Sequence, residues 1–288
     1  MPAVEANGIT IEYDVHGDGD PLLLVMGLGG QLTDWRQPVV DAFVARGFQV
    51  IRFDNRDAGL STEFDWEPPS MTKNVLAMVA RRPVKAGYHI ADMAADTAGL
   101  LDALGIESAH VAGVSMGGMI AQQLTIDRPE KVRSLTSIMS NTGDRKRGGI
   151  SKRLIPKLAR RPEPTTENAV DESVKLFRLI SGPAYDAVEH RYLATTNLHR
   201  SFRPTGTARQ AAAIAASPDR TAGLAGVTAP TLVVHGLLDP LVLPSGGMAT
   251  ASAVPGSRLV MYPDMGHDVP APRIDEIADA IRRNADRA

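Results

Sequence analysis

With 288 residues, no cysteine and a formal net charge of −2, the chain excludes thiol nucleophiles, disulfides and thiolate metal sites, and it offers no global charge to attract a nucleic acid. Hydrophobic residues at 43% and charged residues at 22% fit a globular chain. At this size about three quarters of the unfolded surface is buried on folding, so no disulfide or metal staple is needed.

Residues 1–8 show neither the basic nor the apolar region of a secretory signal, and no run reaches the roughly 18 apolar residues that span a bilayer. The expected location is therefore cytoplasmic. Residues 9–15 alternate after the Asn7-Gly8 turn signal and predict a β-hairpin. Residues 22–26 form a short all-apolar run, as for a strand buried on both faces of a parallel sheet. A helix is expected over 34–46, carried by Trp35, Val39, Val40, Phe43 and Val44 and stopped by Gly47. A strand follows at 48–53, a long Ala/Leu helix at 90–104 and a buried strand at 109–114. The pattern continues with a helix at 116–126 and a strand at 135–139. It resumes with strands at 231–234 and 259–262 and helices at 245–253 and 274–283. Strands alternating with helices indicate a mostly parallel sheet covered on both faces, an α/β fold.

Two segments interrupt the alternation. Residues 64–88 carry Met71, Val75, Leu76, Met78 and Val79 at roughly helical spacing; Met71, Val75, Leu76 and Met78 are expected first to pack as core between this insertion and the sheet, and second to line an acyl pocket. Residues 141–220 have helical composition and no strand signal. They are expected to form a helical cap over the carboxyl edge of the sheet, where ligands bind in open α/β folds. The domain reading is then a core of 1–140 and 221–288 with a 141–220 cap.

Gly113-Val114-Ser115-Met116-Gly117-Gly118 follows a buried strand and opens a helix. That is the context of the G-x-S-x-G nucleophile elbow, whose glycines leave room for a serine in a strained turn. A serine hydroxyl needs a base within hydrogen-bond reach. Of the seven histidines, His267 alone lies in a short loop after the last strand, where parallel strands bring it to the same edge as Ser115. Asp239 follows the 231–234 strand at that edge and is expected to orient the histidine, giving the order Ser, Asp, His. Asp264 and Asp268 are nearer in sequence, but adjacency along a loop does not place a carboxylate on the ring. For the oxyanion, Met116 supplies one backbone N–H and Leu28, in Met26-Gly27-Leu28-Gly29-Gly30, the other.

Leu22-Leu23-Leu24-Val25-Met26-Gly27 and Phe53-Asp54-Asn55-Arg56-Asp57-Ala58-Gly59-Leu60-Ser61 resemble the α/β-hydrolase family, in the serine esterase/lipase branch of aclacinomycin methylesterase and actinobacterial lipase/esterases. The resemblance covers nearly the whole chain except 141–220. It implies a mostly parallel eight-stranded sheet with a helical cap, a Ser115, Asp239 and His267 triad, and oxyanion donors at Leu28 and Met116. It also implies carboxylic-ester substrates and no cofactor or metal. Two departures stand out: Met26-Gly27 replaces the common His-Gly pair, and Asp57 replaces the first glycine of the common D-x-R-G-x-G-x-S segment. Ser115-Met116-Gly117-Gly118 also resembles the elbow of cofactor-free perhydrolases. Thioesterase, phospholipase and perhydrolase activities are therefore alternatives on the same residues.

A dinucleotide-binding oxidoreductase is the more distant alternative, suggested by Gly27-Leu28-Gly29 between strand and helix. Leu32 occupies the place of its third glycine. The basic run Arg145-Lys146-Arg147, Lys152-Arg153, Lys157 and Arg160-Arg161 reads first as a solvated helix face, and second as a contact for an anionic membrane surface.

Overall fold

The computed structural model describes residues 1–80, 82 and 84–288, apart from the side chain of Met78. Asn7 and Gly8 take left-handed φ values of 50° and 75°, which fold β1 (Ala3–Ala6) antiparallel onto β2 (Ile9–His16). The remaining strands are β3 (Asp20–Val25), β4 (Phe48–Phe53), β5 (Ala109–Val114), β6 (Val132–Ile138), β7 (Thr231–Gly236) and β8 (Arg258–Tyr262). Together they form one eight-stranded sheet in the order β1-β2-β4-β3-β5-β6-β7-β8. Only the β1–β2 and β2–β4 pairings are antiparallel.

Strand alternation divides the core between the two faces. Leu22, Leu24, Val50 and Val114 pack against α1 (Gln37–Val44) and the terminal α11 (Ile274–Ala285). Leu23, Val25, Ile51 and Val111 face α3 (Ile90–Ala103) and α4 (Met116–Asp127). Both faces of the central strands are buried, so these strands read as apolar runs. The helix expected over 34–46 begins only at Gln37. A 3₁₀ turn at Leu32–Asp34 precedes it, and Pro38 occupies the first helical turn, where its missing N–H costs nothing.

The two interrupting segments are helical. α2 (Met71–Ala80) lies against α5 (Ile155–Ala159) and α8 (Pro204–Ala216), away from the sheet. Met71 and Leu76 are exposed, as is Val79, which corrects the expectation that Met71 and Leu76 pack as core between insertion and sheet. Asn74 anchors the helix instead, its buried amide donating to the Ala208 carbonyl at 2.9 Å. The apolar spacing serves a cavity wall, to which Met71, Val75 and Val79 contribute. Met78 belongs to the same expectation, and its side chain lies outside the described residues.

Residues 141–220 also carry α6 (Ala169–Ile180) and α7 (Ala187–Arg200), followed by α9 (Thr221–Leu224) and then α10 (Ser245–Ala253). The basic run is not one helix face. The five-residue α5 contains only Lys157 of the run, and Arg161 turns inward, its Nη2 donating to the Glu172 carbonyl at 2.9 Å. Among the described residues no helix is long and apolar enough to cross a membrane.

Candidate active site

β5 runs into α4 through a single residue, Ser115, whose φ of 55° lies in the left-handed region that side chains avoid. The strain is held by packing. A Cβ on Gly113 would lie 2.1 Å from the Gly117 carbonyl oxygen, and one on Gly117 would lie 2.0 Å from the Val25 carbonyl oxygen. Only glycine at both positions lets the strand turn into the helix this abruptly. Ser140 Oγ donates to the Ser115 carbonyl at 2.7 Å, and the Ser115 N–H donates to Ile138 at 2.9 Å. The hydroxyl is left at the carboxyl edge of the sheet.

His267 and Asp239 meet it there. His267 Nε2 lies 2.9 Å from Ser115 Oγ, and His267 Nδ1 lies 2.7 Å from Asp239 Oδ2. The other Asp239 oxygen accepts the backbone N–H groups of Leu241 and Val242, each at 2.9 Å. Burial favours the neutral acid, but the charge of His267, the hydrogen bonds of His235 and His267 and the Val242 N–H outweigh it. They hold the carboxyl down at about 2. An ionised carboxylate only accepts, so Nδ1 carries the ring proton and Nε2 is free to take the serine proton.

The neighbouring acids are otherwise engaged. Asp264 pairs with Arg273 at 2.9 Å, and Asp268 accepts the backbone N–H groups of Gly182 and Gly266. His235, which the sequence marks only as the end of a strand, stands 3.5 Å from Asp239 while its Nε2 sits 2.8 Å from the Val242 carbonyl. It helps to fasten the loop that carries the carboxylate.

The turn Gly27-Leu28-Gly29-Gly30 closes with a 3.2 Å bond from the Gly30 N–H to the Gly27 carbonyl. It abuts the elbow: a Cβ on Gly27 would lie 3.3 Å from Ser115 Cβ. Among the described residues neither the Leu28 nor the Met116 backbone N–H donates to a protein acceptor. The turn is braced from below by buried Asp54, which accepts the Leu32 and Leu60 N–H groups and pairs with Arg200 of α7 at 2.7 Å.

Asp57, the residue in the place of a family glycine, has φ of 66°. That backbone conformation accounts for the glycine. Here the cost is offset by side-chain bonds that glycine cannot make: Asp57 accepts the Tyr88 hydroxyl at 2.6 Å, the Phe64 N–H at 2.9 Å and Arg209 Nη1 at 3.0 Å. No feature of the sequence near Asp57 announces Arg209.

Over the serine lies a cavity of about 1190 Å³, lined by Ser115, His267 and Leu28 below and by side chains of α2, α6 and α7 above, Phe177 and Leu193 among them.

The profile of the alpha/beta hydrolase fold family matches residues 20–271. The chain is 28% identical to rhodomycin D methylesterase DauP of Streptomyces sp. (strain C5) and 29% identical to rhodomycin D methylesterase DnrP of Streptomyces peucetius, with 92% of each chain covered in both cases. The enol-lactonase from Burkholderia xenovorans LB400 has the same fold, with a TM-score of 0.74 at 22% identity over 98% of this chain and 99% of that one. Sheet order, strained elbow and profile agree: the chain is a member of the alpha/beta hydrolase fold family.

Proposed function

We propose that the protein is a serine hydrolase of carboxylic esters, with Ser115 as nucleophile, His267 as general base and acid, and Asp239 as its orienting carboxylate. The observation that carries this reading is the strained Ser115 with its hydroxyl oxygen 2.9 Å from His267 Nε2, itself backed by Asp239. His267 takes the serine proton as Oγ attacks the ester carbonyl, and the tetrahedral oxyanion accepts the N–H groups of Leu28 and Met116. Collapse expels the alcohol, protonated by His267, and leaves an acyl-serine. Water then attacks this intermediate with the same histidine as base, releasing the acid and restoring the serine.

Residues 141–220 act as a cap that shapes the substrate site. The cavity exceeds the roughly 300–1000 Å³ of ordinary small-molecule sites, which favours an ester with a bulky group over a short aliphatic one. The relatives named as methylesterases support the ester bond as the one cleaved. The test is hydrolysis of p-nitrophenyl esters of graded acyl size by the wild type and by Ser115→Ala, with circular dichroism to verify folding. The folded variant should lose nearly all turnover; turnover at the wild-type rate would overturn the reading.

A further inference from the structure

We propose that Gln210, on α8 of the helical insertion, is a positioning residue that sets the oxyanion turn in its active geometry. This inference rests on the proposed role of Leu28 as an oxyanion donor. A four-residue turn closed from Gly30 to Gly27 can hold its central peptide, Leu28 to Gly29, facing either of two opposite ways. Gly29 has φ of +69°, and Leu28 is absent from the residues with positive φ, so the turn is of the second type. Flipping that peptide rotates ψ of Leu28 and φ of Gly29 against each other and reverses the Leu28 carbonyl; the turn must then shift to relieve the contact that carbonyl makes with α8, and the Leu28 N–H is carried with it.

Gln210 chooses between the two. Its Oε1 accepts the Gly29 N–H at 2.8 Å, and its Nε2 donates to the Arg56 carbonyl at 2.7 Å. The side chain is fully buried, so neither bond can be replaced by bulk water. With both ends of the amide engaged, its oxygen cannot trade places with its nitrogen, and the acceptor stays aimed at Gly29. With the opposite peptide orientation, the Leu28 carbonyl would face Gln210 Oε1, oxygen to oxygen. Thr207, one turn earlier on α8, closes the space beside Gly29: a Cβ there would lie 2.8 Å from the Thr207 side chain.

The neighbouring contacts hold the rest of the loop but leave this peptide alone. Gln31 Nε2 donates to the carbonyls of Asn197 and Ser201, and Arg200 Nη1 donates to Gln31 Oε1. Those bonds fix the exit of the turn. Gln210 is the group that fixes its central peptide, and it comes from the insertion rather than from the sheet.

The test is the rate at which a fluorophosphonate labels the serine, measured for the wild type, Ser115→Ala, Gln210→Met and Gln210→Glu. It is paired with kcat and KM on a p-nitrophenyl ester and with the melting temperature. Phosphonylation passes through a transition state that uses the same two N–H donors and needs no knowledge of the natural substrate. Gln210→Met, similar in shape but without acceptor or donor, should label roughly 10- to 100-fold more slowly and lose kcat in parallel, with KM within about threefold of wild type. Gln210→Glu, as the neutral acid that burial favours, keeps an acceptor for Gly29 and a donor for the Arg56 carbonyl and should recover a large part of the rate. Wild-type rates in a folded Gln210→Met, or a loss in Gln210→Met that Gln210→Glu does not recover at all, would overturn the proposal. Labelling of Ser115→Ala at the wild-type rate would overturn the nucleophile assignment instead, so the two failures are told apart.

Discussion

The backbone N–H of His267 donates to the carbonyl of Ile180, the last residue of α6, at 2.7 Å. The proposed general base is thus fastened to the helical insertion through main-chain atoms. Gly182 extends this contact. Its N–H donates to Asp268 at 3.0 Å, and a Cβ on it would lie 2.3 Å from the Asp264 carbonyl oxygen. Gly182→Ala should therefore push the histidine loop off Ser115 and lower kcat by roughly 10- to 100-fold. Steady-state kinetics on a p-nitrophenyl ester measure this; a variant with unchanged kcat would show that the loop tolerates the displacement.

Asp239 and Asp264 make opposite predictions. Asp239 is buried against His267 Nδ1, whereas Asp264 pairs with Arg273 at a half-exposed site. Asp239→Asn should lower kcat about 10³- to 10⁴-fold by favouring the wrong ring tautomer. Asp264→Asn should cost no more than about threefold, as exposed pairs contribute little. The reverse ranking in side-by-side kinetics would move the orienting acid to the histidine loop.

Asp34 gives a pH signature. It lies half-buried under the Gly27–Gly30 turn, and desolvation there raises its carboxyl to about 6 from the ordinary 3.8, against the lowering effect of the Gln31 N–H and the Asn197 amide. The folded state therefore binds this proton more tightly than the unfolded chain does. The resulting stability is complete below pH about 4 and is lost as pH rises through about 6. Between about pH 4 and pH 8 the wild type should lose roughly 3 kcal/mol relative to Asp34→Asn. Chemical denaturation of both proteins across that range checks it, and a gap that does not change with pH counts against the shift.

Asp57→Gly restores the family residue and removes a strain of about 1 kcal/mol. It also removes the buried acceptor of the Tyr88 hydroxyl and the Phe64 N–H and the nearer carboxylate of Arg209, which retains Glu63 Oε1 at 3.7 Å. The second effect is larger, since weakening a buried ion pair and leaving two further donors unpaired together cost about 3–5 kcal/mol. The variant should be destabilised by roughly 2–4 kcal/mol, visible in its urea midpoint. A more stable variant would mean that the backbone strain dominates.

How much of this was legible in the sequence varies by element. Strands β4 and β5 have the predicted bounds, because burial on both faces leaves mostly apolar residues, with Gln49, Arg52 and His110 as the polar exceptions. Ser115 is legible because the elbow demands glycines two residues to either side in a strand-to-helix context. His267 and Asp239 are legible through position, as each follows a parallel strand and the sheet delivers both loops to one edge. The helical spacing of α2 is legible but its packing partner is not, because such spacing reports that one face is apolar and not what that face meets. Here it meets a cavity and two other helices instead of the sheet.

What the sequence by itself determined, then, is the alternating α/β sheet and the identity of the groups at its carboxyl edge, both of which leave local patterns. What only the tertiary structure decided is how those groups are held. Gln210 reaches Gly29 across 181 residues, Arg200 finds Asp54 in another segment, and the His267 N–H is taken by Ile180. Each is a bond from one part of the chain to a distant carboxylate or main-chain atom. Such bonds obey no spacing rule, because the fold and not the sequence separation brings the two ends together.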